Sequence, residues 1–298
     1  MEHYFGIDVG GTNAKFGIVS RKGELLEKIK YPTPTLVKDG SFVKGFSEAI
    51  KEQLKRYPGI QQVGIGIPGL ISKDRKTAAK VQNIPSLSGA NVIDTLKQDH
   101  PKISFRLEND ANVAALGEHY FSTQSLPESF IMVTLGTGVG GAAIIDGKIF
   151  TGADGNGLEI GHVLSTKGGT IESHIGKKGI LRYAQELVAG GDYDTMLKDD
   201  FDAKAVAKAA KKGDPVGVKV FKRVGKILGE CLVSSIRVLD IKTVVIGGGV
   251  SDTFPVIEGP MMKTIHQYLP EYYTDPMKIT KATLANEAGI IGAASLCF

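Results

Sequence analysis

Residues 6–25 read GIDVGGTNAKFGIVSRKGEL, and residues 132–149 read MVTLGTGVGGAAIIDGKI. The two stretches share one organisation. In the first, Tyr4–Val9 is a short apolar run that predicts a buried strand. Gly10-Gly11-Thr12-Asn13 is a tight turn, and Ala14–Ser20 is a second strand. Arg21-Lys22-Gly23 turns the chain again before a third strand, Glu24–Lys30. In the second stretch, Phe130–Leu135 is a strand, Gly136-Thr137-Gly138 a turn and Gly140–Ile145 a strand. Asp146-Gly147 then marks a hairpin that Lys148–Thr151 continues. Asp8 falls opposite Thr134 and Gly10 opposite Gly136, an internal repeat of about 125 residues. The repeat predicts two related α/β domains, each opening with a hairpin unit whose turn faces a shared cleft.

Between and after these units the spacing alternates. Ser41–Tyr57 carries Phe42, Val43, Phe46, Ile50 and Leu54 at the intervals of an amphipathic helix. Val63–Ile67 predicts a strand ending in Pro68-Gly69, Asn91–Gln98 a short helix, Ser104–Glu108 a strand and Ala111–Phe121 a helix. The second half is mainly helical: Lys178–Val188, Ala203–Lys212, Pro215–Leu239 and Phe254–Leu269. Within it Lys242–Ile246 is a buried strand that ends in Gly247-Gly248-Gly249. Lys278–Leu284 is a last strand and Ala288–Leu296 a last helix. The domain limits that follow are 1–120, completed by the C-terminal helix at about 286–298, and 121–285.

Composition narrows the class. The chain has 298 residues and 38 glycines, close to twice the usual share of about 7%. There are 12 prolines and no G-X-Y period, so neither collagen nor low-complexity disorder explains the glycine. A net charge of +4, from 36 Lys+Arg against 32 Asp+Glu, is a weak bias and gives nucleic-acid binding no support. The pairs Lys177-Lys178 and Lys211-Lys212 read as solvated surface. Two cysteines, Cys231 and Cys297, form neither a disulfide framework nor a four-thiol zinc site, which suits a reducing cytoplasm. The start, MEHYFGIDVGG, has neither a basic nor a long apolar region of a leader, and no apolar run reaches the roughly 20 residues of a membrane span.

Four groups of residues carry candidate chemistry. Asp8-Val9-Gly10-Gly11-Thr12-Asn13 follows a strand directly. Its glycines suit the approach of backbone N–H groups to a phosphate, with side-chain donors from Thr12 and Asn13. Asp8 at the strand end suits a hydrated Mg²⁺. The same residues also suit an ordinary glycine hairpin, and neither a Walker motif nor G-x-G-x-x-G is present. The second turn, Leu135–Gly141, repeats the arrangement, and Gly247–Gly249 lies at a strand end, where open α/β sheets bind ligands. Glu108-Asn109-Asp110 ends a strand and opens a helix. It reads as a helix N-cap or as an Asp poised to act as a general base toward a hydroxyl. Glu159-Ile160-Gly161-His162, with Glu172 ten residues beyond the His, suits hydrogen bonding to a polyol, or a structural His. His162 and His174 without a nearby thiol make a poor zinc site.

In sequence order the blocks are DVGGTNAKFGIV, GIGIPG, QNIP, ENDANVAALGE, LGTGVGGA, LEIGH and VIGGGVS. Together they resemble the ROK family of sugar kinases and repressors, within the actin-like ATPase superfamily, from Gly6 to about Ala294. The resemblance implies an α/β fold of two related actin-like ATPase (ribonuclease H-like) domains with an interdomain active-site cleft. It implies an ATP-dependent kinase that phosphorylates a hexose, with glucose at its 6-hydroxyl the expected acceptor and Asp110 the general base. N-acetylmannosamine, N-acetylglucosamine, mannose or fructose are alternative acceptors, and a non-catalytic sugar sensor is an alternative role. Asn109, Asn83, Gly69, Glu159, His162 and Glu172 would touch the sugar. Asp8, Gly10, Gly11, Thr12, Asn13, Thr137 and Gly138 would hold phosphate, with Asp8 on Mg²⁺ through water. Gly247, Gly248 and Gly249 would border the adenosine. ATP is the expected donor, polyphosphate staying open, and a homodimer is expected. The repressors of the family carry an added N-terminal DNA-binding domain; with the first strand at about residue 4, none is expected here.

One departure stands out. The family carries a C-x-C-G-x-x-G-C zinc segment between the His and a second sugar-binding Glu. Matching that segment to Ser173–Arg182 would replace every thiol and set Arg182 in place of the Glu. Matching the family's following stretch instead to Thr170-Ile171-Glu172 through Arg182 makes Glu172 the second Glu, with the zinc hairpin shortened away. On this reading zinc is not expected, and hydrogen bonds or packing must order the loop.

Overall fold

The computed structural model describes residues 3–198, 200–249 and 251–298. Of the sequence blocks, only Val250 in VIGGGVS and the first two residues fall outside them. The chain opens with β1 (His3–Val9), β2 (Asn13–Ser20) and β3 (Leu25–Pro32), followed by α1 (Phe42–Arg56) and β4 (Gln62–Ile67). A small hairpin sheet comes next, β5 (Leu70–Ile71), β6 (Thr77–Lys80) and β7 (Ala90–Asn91). Then come α2 (Val92–Asp99), β8 (Ser104–Asn109) and α3 (Asp110–Phe121). The second series is β9 (Phe130–Leu135), β10 (Val139–Ile145) and β11 (Lys148–Ile149), then α4 (Ile171–Ile175), α5 (Lys177–Ala189), α6 (Ala203–Lys211) and α7 (Pro215–Leu239). It ends with β12 (Thr243–Gly247), α8 (Phe254–Tyr268), α9 (Glu271–Thr274), β13 (Lys278–Lys281) and α10 (Ala288–Ser295).

The repeat seen in the sequence is a repeat of topology. One sheet has the order β3-β2-β1-β4-β8, and the other β11-β10-β9-β12-β13. Even the register agrees. Asp8 ends the parallel ladder of β1 with β4 by pairing with Gly66, and Thr134 ends that of β9 with β12 by pairing with Gly247. This is the α/β architecture that the actin-like ATPase resemblance implies. The Asp146-Gly147 turn has φ of 50° and 73°, the left-handed pair that closes a two-residue hairpin, and Ile145 pairs with Lys148 across it.

Each element follows from its residues. The central strand β1 is buried along most of its length, whereas the edge strand β3 alternates half-buried and exposed residues. α1 starts where Ser41 Oγ accepts the Lys44 amide, and it buries Phe42, Val43, Phe46 and Ile50 on one face. α7 has Pro215 in its first turn and Asp214 capping Gly217 N at 3.0 Å. The last strand stops at Lys281, short of the expected Leu284. There the Leu284 amide and the Thr283 hydroxyl turn to the two oxygens of Glu118, at 2.7 and 3.0 Å. That pairing satisfies a fully buried carboxylate.

The chain forms two compact units: 1–128 with 142–158 and 283–298, and 129–141 with 159–282. In the first unit α10 packs on α3, β1 and β4 with backbone nearly touching backbone. A Cβ on Gly64 would lie 1.7 Å from the Ala293 carbonyl oxygen, and one on Gly292 would lie 1.6 Å from that of Val113. Among the described residues no helix is long and apolar enough to cross a membrane.

Candidate active site

In the first unit the hairpin β1–β2 delivers Asp8 and the first glycine turn. Gly10 N donates to Asn13 O at 2.9 Å, which closes the turn, and the Thr33 hydroxyl donates to Gly10 O at 2.6 Å. The Gly11 and Thr12 amides make no backbone hydrogen bond within the described residues, so two adjacent donors remain at the tip. Asn83 is exposed and lies against this tip, since a Cβ on Gly11 would meet the Asn83 Cβ at 2.8 Å. Asp8 Oδ2 accepts Lys15 Nζ at 2.7 Å, across the strand pair Asp8–Lys15. Its carboxylate fits because residue 289 is glycine, where a Cβ would meet Asp8 Cγ at 2.7 Å.

β8 and α3 deliver Asn109 and Asp110. Asn109 Oδ1 accepts the amides of Ala111 and Asn112 at 2.8 and 3.3 Å, so Asn109 is the helix N-cap. Its Nδ2 donates to Gly69 O at 3.1 Å, which ties the cap to the turn after β4. Gly69 has φ of 88°, and a Cβ there would lie 2.2 Å from Lys80 O. Asp110 is the first residue of the helix, half-buried, with Oδ1 accepting the Ala111 amide at 2.9 Å.

In the second unit the turn after β9 copies the first. Gly136 N donates to Gly138 O at 3.0 Å, and the Thr137 and Gly138 amides make no backbone hydrogen bond within the described residues. Thr137 O accepts the Lys177 amide at 3.1 Å. The next amide, Val139 N, donates to Glu172 Oε2 at 2.8 Å. Glu172 therefore rests on the turn itself, and a Cβ on Gly138 would lie 2.1 Å from Glu172 Oε2. Glu159 and His162 flank a short 3₁₀ turn, with His162 Nδ1 3.3 Å from Glu159 Oε2. Burial pushes the Glu159 carboxyl above the usual carboxylate range, with His162 opposing and the Glu172 charge adding to the rise. Glu159, His162 and Glu172 thus form one acidic cluster beside the second turn. Gly248, with φ of 85°, lies against the end of β9, its missing Cβ 2.3 Å from Leu135 O.

The sequence model of the ROK family matches residues 4–298. The chain belongs to the ROK family. It is 30% identical over 307 residues to a glucokinase of Thermotoga maritima, covering 98% of this chain and 96% of the relative. It is also 30% identical over 306 residues to an N-acetyl-D-glucosamine kinase of Vibrio parahaemolyticus, covering 98% of this chain and 99% of the relative. The crystal structure of a ROK family glucokinase from Streptomyces griseus, in complex with glucose and AMPPNP, superposes with a TM-score of 0.83. That structure is 28% identical in sequence and covers 99% of both chains.

The loop after His162 is ordered by hydrogen bonds. Ser165 N donates to Gly169 O at 2.9 Å and Gly168 N returns to Ser165 O at 3.0 Å. Ile171 N donates to Val163 O at 3.0 Å, and Thr170 caps α4 through Ser173 N. His174 Nε2 lies 2.5 Å from Gly168 O, and its Nδ1 accepts Arg223 Nη2 at 3.1 Å. Arg182, the rival to Glu172 in the alignment, is exposed and donates to Ser173 O at 3.0 Å.

Three neighbours of the site were given no role by the sequence reading. Lys15 holds Asp8, as described. Glu108 is buried, and its Oε1 accepts Asn109 N at 2.8 Å and Asn112 Nδ2 at 2.9 Å. Arg75 Nη2 stands 3.3 Å from Glu108 Oε2, yet both of its terminal nitrogens are buried without an aligned hydrogen bond. The signal for Glu108 was present, inside ENDANVAALGE, but Arg75 sits 33 positions earlier with no motif around it.

Proposed function

We propose that this sugar phosphotransferase moves the γ-phosphoryl group of ATP to a hexose hydroxyl, with the 6-hydroxyl of glucose as acceptor. The observation that carries the reading is the pair of matched turns. Each closes on itself through its first glycine and leaves two adjacent amides for an anion, Gly11 and Thr12 in one, Thr137 and Gly138 in the other. Phosphoryl transfer asks the protein mainly to position reactants and to stabilise charge, which backbone donors of this kind do. The glucokinase relative and the AMPPNP complex of a ROK glucokinase support ATP as donor.

Asp110 acts as general base in this reading and takes the proton of the attacking hydroxyl. Its place at the start of α3 favours the ionised form that a base requires. Asn109 spends its Oδ1 on the helix cap, so its role toward sugar falls to Nδ2, whose second N–H is not needed by Gly69. Glu172 keeps Oε1 for a sugar hydroxyl while Oε2 stays on Val139 N. Glu159 and His162 accept and donate to the remaining ring hydroxyls. Asn83 and Gly69 border the sugar, Asn13 and Gly10 the phosphates, and Gly247–Gly249 the adenosine.

Mg²⁺ fits at Asp8 as a mostly hydrated ion. Among the described residues no group of three His, Cys, Asp or Glu forms a metal cage. One carboxylate with side-chain exposure of 17%, given room by Gly289, suits an ion that keeps its water and shares the substrate phosphates. Bound there, the ion would neutralise phosphate charge.

A coupled ADP-release assay over glucose, mannose, fructose and the N-acetylhexosamines tests the acceptor. N-acetyl-D-glucosamine is the second reading to test, because a relative of equal identity carries that activity in its name. Asp110→Asn is expected to abolish turnover while glucose binding, followed by calorimetry, largely survives. Near-normal rates in that variant would remove Asp110 from the mechanism.

A further inference from the structure

A separate groove lies on the second unit. It has a volume of 550 Å³ and is lined by Lys167, Tyr183, Lys222, Arg223 and Lys226. The depression is shallow and open to solvent, so charge rather than enclosure sets what it can hold. Lys222, Arg223 and Lys226 come from α7, Tyr183 from α5, and Lys167 from the shortened loop. The lining contains no carboxylate. The three lysines are exposed, and their ammonium groups have no ion pair or hydrogen bond among the described residues. Lys222 and Lys226 stand four apart on one helix, a like-charge pair that destabilises the helix unless an anion relieves it.

Arg223 is oriented before any ligand arrives. Its guanidinium lies over the Tyr183 ring, 4.2 Å from the centroid, and Nη2 donates to His174 Nδ1 at 3.1 Å. His174 shares α4 with Glu172 and holds Gly168 O through its other ring nitrogen. The groove is therefore joined, through one side chain, to the short helix that sets Glu172 on Val139. Glu230, the acidic group one turn beyond Lys226, is engaged by the Thr166 hydroxyl at 3.1 Å.

We propose that this groove is an anion site for a phosphate monoester or free phosphate, distinct from the glycine turns and coupled to the site loop through Arg223 and His174. A phosphate group offers several acceptor oxygens and up to two negative charges, which match one planar fork and three ammonium groups. An anion drawn to Arg223 competes with His174 Nδ1 for the same guanidinium, so occupation is felt along α4.

The test uses the full chain, titrated with inorganic phosphate in one arm and glucose 6-phosphate in the other. Binding is followed by calorimetry and by the imidazole NMR signal of His174, assigned with His174→Gln. The expected result is a phosphate-dependent shift of that signal, and affinity weakened by roughly tenfold or more in the double variant Lys222→Gln/Lys226→Gln. Both substitutions are on exposed helix positions outside the proposed catalytic residues. Of the binding that the double variant removes, a stronger component for glucose 6-phosphate would identify a sugar phosphate as the occupant, and an equal or weaker one free phosphate; binding that the double variant keeps belongs to the glycine turns. Unchanged affinity in the double variant, or a silent His174 signal, would overturn the proposal. Neither readout depends on turnover, so the groove and the kinase reading fail or stand separately.

Discussion

Gly138→Ala isolates the contact between the second glycine turn and Glu172. An alanine Cβ at that position would lie 2.1 Å from Glu172 Oε2 and 3.0 Å from its Cδ. The backbone φ of Gly138 is outside the left-handed region, so the alanine itself is not strained. The clashing atom is the far end of a flexible side chain, so the fold can accept the methyl by letting Glu172 swing away. What is lost is the charge-assisted bond from Val139 N to Glu172 Oε2, 2.8 Å long. Hydrogen bonds to charged groups carry about 1.5–3 kcal/mol, which converts to a loss of roughly ten- to a hundredfold if all of it is expressed in sugar recognition. The control lies in the same turn, because a Cβ on Gly136 would meet nothing within 4 Å. Coupled ADP release, with sugar and ATP varied separately, should show kcat/KM for sugar falling by that factor in Gly138→Ala and staying near wild type in Gly136→Ala. Thermal melts should leave both variants close to the parent. Equal kinetics in the two variants would refute the idea that the turn positions Glu172 for the sugar.

Three further outcomes follow from the packing and the charges. Gly64→Ala forces a methyl to within 1.7 Å of the Ala293 carbonyl oxygen, a backbone atom that moves only with α10. A loss of about 3 kcal/mol or more, and a melting temperature roughly 6–12 °C lower, should appear in a thermal melt. The Glu159 carboxyl is raised by burial, so between its ordinary and its raised pKa the folded chain binds more protons than the unfolded chain. Stability should fall as pH rises through that window and level off above it, and Glu159→Gln should flatten the slope in melts taken across the acid range. Cys231 and Cys297 are buried, with thiols pushed up to about 11 and about 12. Neither should react with a thiol reagent at neutral pH until denaturant is added, as absorbance of the released chromophore would report.

The parts of the fold that were legible are those whose residues act on near neighbours. The limits of α7 were readable because Asp214, Pro215 and the apolar spacing all lie within the helix or next to it. The twin hairpins were readable because a turn of three residues between two strands is a local object, and the matched ladder ends at Asp8 and Thr134 follow from it. The sheet β5-β6-β7 was not, since two of its strands have two residues and no period to detect. Neither was the half-buried Arg75, whose ion-pair partner Glu108 is brought to it by tertiary packing. Glu172 falls between these cases. Alignment offered it or Arg182, and no spacing rule could decide. Physically the two differ in one respect: a carboxylate can accept Val139 N–H and an arginine cannot. An acceptor is what the amide after Gly138 lacks, because Gly136 and Gly138 bond to each other and leave Val139 out. The loop therefore needs no thiol to keep its register while a carboxylate reaches this one amide. Thr170 at the helix cap and His174 on Gly168 hold the short helix where Glu172 makes that reach.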